Sequence, residues 1–556
     1  MKNLKRLLCA LLCVALGIGI LAGCGSTSIS VNRAPEKAEL NHAAPRAEAA
    51  TLKAVRLSAG STEVATGVSA DEVKKGGRLK IGMEVPDELL WTSIIGSPQE
   101  AFAALYCEPL MKWNAEGELK PWLLESITPD KDALTWTMVV RDNVYFTDGS
   151  LFDAECLEWN LNYYKENGGQ AGTYFINFDY AEAVDSRTVV CHFTDWELFF
   201  PTFLTYSLII VSKQAFDEYG VDYLAQNPIG TGPFIVTKWE PDTKMSLDKN
   251  PNYWGGEPYL DGLDITHFPE DMVAEMALGT EEIDVFATDS YLVDDEMEAE
   301  GYAVTYAKLP SMGYTLCFNS KNEDSPISDV RVRKAISYAI DTDALNSAVT
   351  NGHGALSNQW CLPGSTFYND DVEGQPYDLD QAKALMKEAG YEDGFKTKIY
   401  CNGTDMWKNT AVAIQQMLKA INIDAEVCVT ENGTYVNYIN GWDEGMLVHT
   451  MGLEPGAGCQ YGSTFMHGIG FGLGTQVFDI SDELDELVRT GKTAASEEES
   501  IPYFKDAAKI IFDEDCLIKV LYCSAWSSIA NDYVMDSGVY AIQNRRIDAV
   551  TTWLDK

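Results

Sequence analysis

The run from Asn227 to Trp254, NPIGTGPFIVTKWEPDTKMSLDKNPNYW, constrains this chain more than any other. Gly230-Thr231-Gly232-Pro233 reads as a tight turn, in which the glycines admit positive φ and Pro233 fixes its own. Phe234 to Val236 then reads as a strand, Glu240-Pro241-Asp242 as a hairpin turn and Lys244 to Asp248 as the return strand. Asn250-Pro251 opens a further turn that ends on Tyr253-Trp254.

A chain of 556 residues is too long for a single hydrophobic core, so two or more domains are expected. The net charge of −43 excludes a nucleic-acid backbone as partner, since that requires a basic face. Lys2, Lys5 and Arg6 followed by the apolar run 7–20 read as an export signal too short to span a membrane comfortably. Leu21-Ala22-Gly23-Cys24 has the form of a bacterial lipobox, which makes residues 1–23 a signal peptide and Cys24 the lipidation site; a retained signal anchor is the rival reading. Residues 24–75 carry no apolar period and read as a flexible tether. Ten cysteines remain beyond the signal and Cys24; none forms Cys-x-x-Cys, and both disulfides and buried thiols stay open.

Further along, 77–85 alternates as a first strand and 97–110 reads as a helix leading into Tyr106-Cys107-Glu108-Pro109-Leu110. Trp136, Met138 and Val140 share one strand face, and Asp153 caps a helix over 154–167. Helices are predicted over 271–278 (stopped by Gly279), 328–341 (capped by Asp329), 378–389, 409–421 and from Ser496 to Phe512. Strands are predicted at 189–193, 283–286, 302–309, 314–319, 423–429 and 517–522.

No catalytic constellation emerges. The six histidines include no i, i+4 zinc pair and no His-Glu-x-x-His, Gly491-Lys492-Thr493 lacks the upstream glycine of a phosphate loop, and no Gly-x-Ser-x-Gly is present. Neither a catalytic residue, nor a metal site, nor a cofactor is expected.

The order of these words resembles the family 5 extracellular solute-binding proteins of bacterial ABC importers, which take peptides or nickel. The resemblance rests on Tyr106 to Leu110, on Pro121-Trp122-Leu123, on the strand ending in Arg141 with Asp148-Gly149 after it, on Gly230 to Trp254 and on Asp329 to Asp341. It implies an α/β, two-lobed, periplasmic-binding-protein-like clamshell with an extra subdomain in the first lobe. Lobe I would comprise 76–313, with the subdomain at about 110–190; lobe II would comprise 314–522, and 523–556 would return to lobe I. The resemblance implies a monomeric lipoprotein, not an enzyme, which captures a solute between its lobes and delivers it to an ABC permease driven by ATPase subunits. An oligopeptide is the first choice of cargo; a nickel chelate or other small organic solute is the alternative, with a surface sensor on the same fold as a third. Many peptide binders of the family have a strand ending in glycine-tryptophan, soon followed by an aspartate that holds the ligand ammonium. Here Leu453 stands at the tryptophan position and Gly456 at that of the aspartate, so Glu454 is the expected anchor. His449 (or His353) would serve a metal chelate. Trp91, Tyr106 and Trp526 are expected to line the cleft.

Overall fold

The computed structural model describes residues 73–86, 89–90, 97–167, 175–205, 208–308, 312–430, 435, 438, 441–452, 457–467, 476–542 and 546–556, the side chains of 97–101, 457 and 459 aside. The lipobox with Cys24, the tether, Trp91, Leu453, Glu454 and the glycine-rich 468–474 run lie outside the described residues.

The chain opens with β1 (Arg78–Gly82), then passes through β2 (Met111–Trp113), β3 (Leu119–Pro121), β4 (Leu124–Asp130), β5 (Thr135–Val140), β6 (Phe178–Ala183) and β7 (Thr188–Phe193). There follow β8 (Phe234–Glu240), β9 (Lys244–Lys249), β10 (Gly262–Thr266), β11 (Val285–Thr288) and β12 (Ala303–Tyr306). After these come β13 (Met312–Phe318), β14 (Lys396–Asn402), β15 (Asp424–Thr430), β16 (Met446–Gly452) and β17 (Ile518–Ser524), and last β18 (Ser527–Ala530), β19 (Val534–Met535) and β20 (Trp553–Leu554).

Three larger sheets hold sixteen of them, and β2-β3 and β19-β20 form two-stranded sheets. The first has seven strands in the order β12-β18-β11-β1-β10-β9-β8, parallel at β11-β1-β10 and antiparallel elsewhere. The second has five, β15-β14-β16-β13-β17, parallel at β15-β14-β16 and antiparallel at β13. Between β1 and β8 sits a four-stranded antiparallel sheet, β4-β5-β7-β6, covered by the helix Ala154–Asn167. Trp136, Met138 and Val140 bury the inner face of β5, as their alternation requires. The first and second sheets each define a lobe, and the chain passes from one to the other between β12 and β13 and returns between β17 and β18. Both crossings lie together, because β12 pairs with β18 and β13 with β17, and the Ala307 amide donates to the Trp526 carbonyl at 2.9 Å.

Helix starts follow their caps. Asp153 accepts from the Cys156 amide at 3.0 Å, and Asp329, Asp378 and Ser496 each accept a backbone N–H of the first turn. On Val330–Ala339, the apolar stripe 332, 335, 336, 339 is buried, and so is Arg333, whose guanidinium donates to the carbonyls of Ile327, Ser328, Asp515 and Cys516. Some boundaries move. The helix expected to stop at Gly279 includes it, with Thr280 as C-cap, and β11 begins at Val285 rather than 283. The helix expected from 409 begins at Asp405 behind Thr404. Nine described cysteines are free thiols.

The opening stretch folds as the predicted hairpin, but its glycines are needed for another reason. Neither Gly230 nor Gly232 has positive φ. A Cβ on Gly230 would lie 2.2 Å from the Tyr106 carbonyl, and one on Gly232 would lie 2.6 Å from that of Leu105. Absence of a side chain lets this turn press against 105–107. What it presses around is Glu108, fully buried. Oε1 accepts from Trp122 Nε1 at 2.6 Å and the Tyr253 hydroxyl at 2.7 Å; Oε2 accepts from Trp254 Nε1 at 2.7 Å and Thr231 Oγ1 at 2.9 Å. Four donors from the subdomain and the first lobe therefore converge on one carboxylate.

Candidate functional site

In open parallel sheets, ligands bind beyond the carboxyl ends of the strands. Here those ends are Gly82, Thr266 and Thr288 in the first lobe and Asn402, Thr430 and Gly452 in the second. The segments that follow them bring acids together. Asp271 is lifted to about 6, first by loss of hydration and then by Asp289, Glu275 and Asp405. Asp405 begins a helix of the other lobe, so acids that follow the carboxyl ends of the two sheets are near enough to raise one another.

The base of the second lobe is aromatic. Tyr314 of β13 stacks on Tyr522 of β17 at 4.7 Å and meets Trp407 edge-on at 5.5 Å. The Tyr522 hydroxyl lies 2.6 Å from Thr410 Oγ1. His449, on β16, is part of the same group. Its Nδ1 lies 2.7 Å from the Tyr435 hydroxyl and its ring faces Trp407 at 6.2 Å. Burial pushes this imidazole down to about 4, so it is neutral at neutral pH and offers hydrogen-bonding or ligating nitrogen rather than charge.

At the crossings, the helix Tyr291–Glu300 of the first lobe meets residues 351–353 of the second. Asp295 accepts from Asn351 Nδ2 at 2.9 Å and pairs with His353 Nε2 at 2.9 Å. The His353 ring lies parallel to Tyr291, 5.1 Å away and inclined by 3°. The Tyr291 hydroxyl accepts the Ala525 amide at 2.8 Å, which ties this helix to the return crossing. Asp294, buried beside it, accepts from Ser527 Oγ at 2.6 Å; burial raises its carboxyl to about 7 against the hydrogen bonds of Ser527 and Tyr306. Among the described residues no group of three or more His, Cys, Asp or Glu is disposed to hold a metal ion.

The expected site residues divide. His449 lies in the aromatic group of the second lobe. Trp526 lies on the return crossing, partly buried, with its ring against Tyr540 at 5.6 Å. Tyr106 is a core residue of the first lobe, 1% exposed, with its hydroxyl donating to the Leu89 carbonyl; the turn at Gly230 closes over its backbone, so its ring packs the lobe and does not line a cleft. Asp289, Asp405, Trp407, Tyr435 and Tyr522 were not singled out by sequence reasoning. The signal for the first two was available: each directly follows or nearly follows the carboxyl end of a parallel strand and precedes a helix.

Residues 118–472, more than half of the chain, match the profile of the bacterial extracellular solute-binding proteins, family 5, middle region. The chain belongs to this family. Among curated relatives of this family 5 protein, the nickel-binding periplasmic protein of Escherichia coli is 24% identical over 393 residues, covering 66% of this chain and 75% of the relative. The glutathione-binding protein GsiB of Salmonella paratyphi A is 27% identical over 348 residues, 62% of this chain and 67% of the relative. Among solved structures, the periplasmic binding protein DppA of Helicobacter pylori in complex with the peptide STSA superposes with a TM-score of 0.76 at 24% identity, over 87% of this chain and 99% of that one. The two-lobed α/β fold expected from sequence is thus the fold of the family. Its members are solute-binding proteins of ABC transporters. No helix among the described residues is long and apolar enough to cross a membrane.

Proposed function

We propose that this family 5 protein captures an oligopeptide between its lobes and presents it to the permease in the closed form. The supporting observation is the group of acids that follow the carboxyl ends of the two sheets, Asp271 and Asp289 from the first lobe and Asp405 from the second, whose charges act on one another and suit a ligand ammonium. In sequence, Leu453 and Glu454 come next after Gly452, the last residue of β16, and Glu454 stays the proposed second-lobe partner of that ammonium. Closure is favoured because only the closed form satisfies ligand contacts from both lobes. Cys24 is the proposed lipid anchor that keeps the monomer near its permease.

A nickel chelate is the second reading, favoured by the neutral imidazole of His449 beside Tyr435 and Trp407. Mass spectrometry of the denatured, natively purified protein separates the two. Co-purified peptides at near-stoichiometric yield are expected; their absence, together with stoichiometric nickel and a small organic chelator, would replace the peptide reading with the chelate one.

A further inference from the structure

The subdomain between β1 and β8 touches both lobes, and the two contacts are built differently. Toward the first lobe it is fixed by the Glu108 convergence, by two chain connections, by the Pro109–Ile209 bridge and by the Thr147 amide donating to Gly230 at 3.0 Å. Toward the second lobe it reaches with one tip, Trp196 to Phe199. Trp196 Nε1 donates to the Ala494 carbonyl at 2.9 Å, and the Leu198 amide donates to the Lys492 carbonyl at 3.2 Å. Glu197 Oε2 pairs with Lys492 Nζ at 2.8 Å, with both groups buried. Phe199 enters a slot formed by Phe504 at 5.7 Å, Phe367 at 6.3 Å and Gly458, where a Cβ would come within 2.5 Å of the ring. From behind, the tip is stiffened by Trp136, whose ring stacks on Trp196 at 5.3 Å and whose Nε1 donates to the Glu197 carbonyl at 3.1 Å.

We infer that this tip is a releasable clasp, which holds the second lobe in the closed form and comes apart when the lobes open, while the subdomain stays with the first lobe. Three observations carry this. The first-lobe attachment leaves no oxygen of Glu108 unbonded, so pulling the subdomain away would take Trp122 from a fully satisfied buried carboxylate. At the tip, Glu197 Oε1 is buried and finds no partner among the described residues, so the pair is incompletely compensated when closed. Its two ions regain hydration on opening, and a buried ion pair of this kind adds little net adhesion. The adhesive part is apolar: the Phe199 ring in its slot, within the buried cluster that the subdomain shares with the second lobe. That slot is bounded by Gly458 at the start of the helix Ala457–Thr464, two residues beyond the 453–456 segment.

This inference rests on capture by lobe closure, but its test needs no ligand, so either can fail alone. Hydrogen exchange of the full-length protein in detergent, read at single amides by mass spectrometry, compares Leu198 with Thr147. Leu198 is expected to exchange at least about tenfold faster, through an opening that spares the first-lobe attachment. Equal protection, or faster exchange at Thr147, would mean that the subdomain is fused to the second lobe and would overturn the proposal. Phe199→Ala should accelerate Leu198 by a further order of magnitude (about tenfold) with Thr147 unchanged; equal acceleration at both amides overturns it. Combined Glu197→Met and Lys492→Met, which removes the gain of hydration on opening, should slow Leu198 exchange, whereas faster exchange would assign the ion pair the opposite role.

Discussion

Glu108 and Glu197 mark the two attachments of the subdomain; both are sealed from solvent, yet one carboxylate accepts four side-chain donors and the other leaves an oxygen without one among the described residues. Around Glu108 the donors arrive on two tryptophans, a tyrosine and a threonine, held by a turn whose glycines admit no side chain. Around Glu197 the main partner is an ammonium, itself taken out of water. Neutral donors converging on a carboxylate cost little desolvation and lose everything when parted; an ion pair costs much desolvation and recovers it when parted. The apolar packing runs the other way: one buried cluster is continuous from the subdomain into the second lobe, while the first lobe has its own. Polar satisfaction, not apolar area, is thus what distinguishes the fixed joint from the releasable one.

The largest expected effect breaks the fixed joint. Glu108→Ala strands four buried or half-buried donors and should cost on the order of 5 kcal/mol, read as a lower urea midpoint or failure to accumulate folded protein. A loss below about 1 kcal/mol would remove Glu108 from its central place. Phe199→Ala should cost about 3 kcal/mol of global stability at most, and less where unfolding begins with the clasp already open. Gly458→Ala places a methyl against the same ring, and the loss should be about 1–3 kcal/mol, confined to clasp protection rather than to that of the first lobe. Replacing both Glu197 and Lys492 by Met should be within about 1 kcal/mol of wild type or stabilising, in contrast to Glu197→Ala alone, which leaves Lys492 unpaired. The smallest effect is in pH. Burial holds the Glu197 carboxyl above the ordinary glutamate range, against the opposing pull of Lys492 and Asn177. The native state therefore binds the proton more tightly than the unfolded one, and stability should fall as pH rises from the ordinary glutamate range through the raised folded value. That slope should vanish in Glu197→Gln; a slope unchanged by the substitution would assign it to another group.

Much of the scaffold is legible in local pattern. The helix Ala154–Asn167 starts where Asp153 can cap it, Val330–Ala339 buries the stripe its period lays out, and β17 is apolar because both its faces are covered. Boundaries slipped where no side chain signals them, as at Thr404, which precedes its helix without a capping bond. Of the expected site residues, His449 could be placed on its strand from the run Met446 to Gly452 around it. Tyr106 misled, because an aromatic residue next to a family word reads equally as ligand contact or core.

The sequence by itself determined the strand and helix periods and the order of words that places it in family 5, since each of these is written in residues near one another along the chain. Tertiary structure alone decided what the buried acids do. Trp254 reaches Glu108 from 146 positions away, and Trp196 finds Ala494 across 298. Among 84 acidic residues, composition marks Glu108 and Glu197 as ordinary solvated charges. Only the fold removes their water and supplies the donors that replace it, because hydrogen-bond satisfaction is a property of the space around a group and not of its neighbours in sequence.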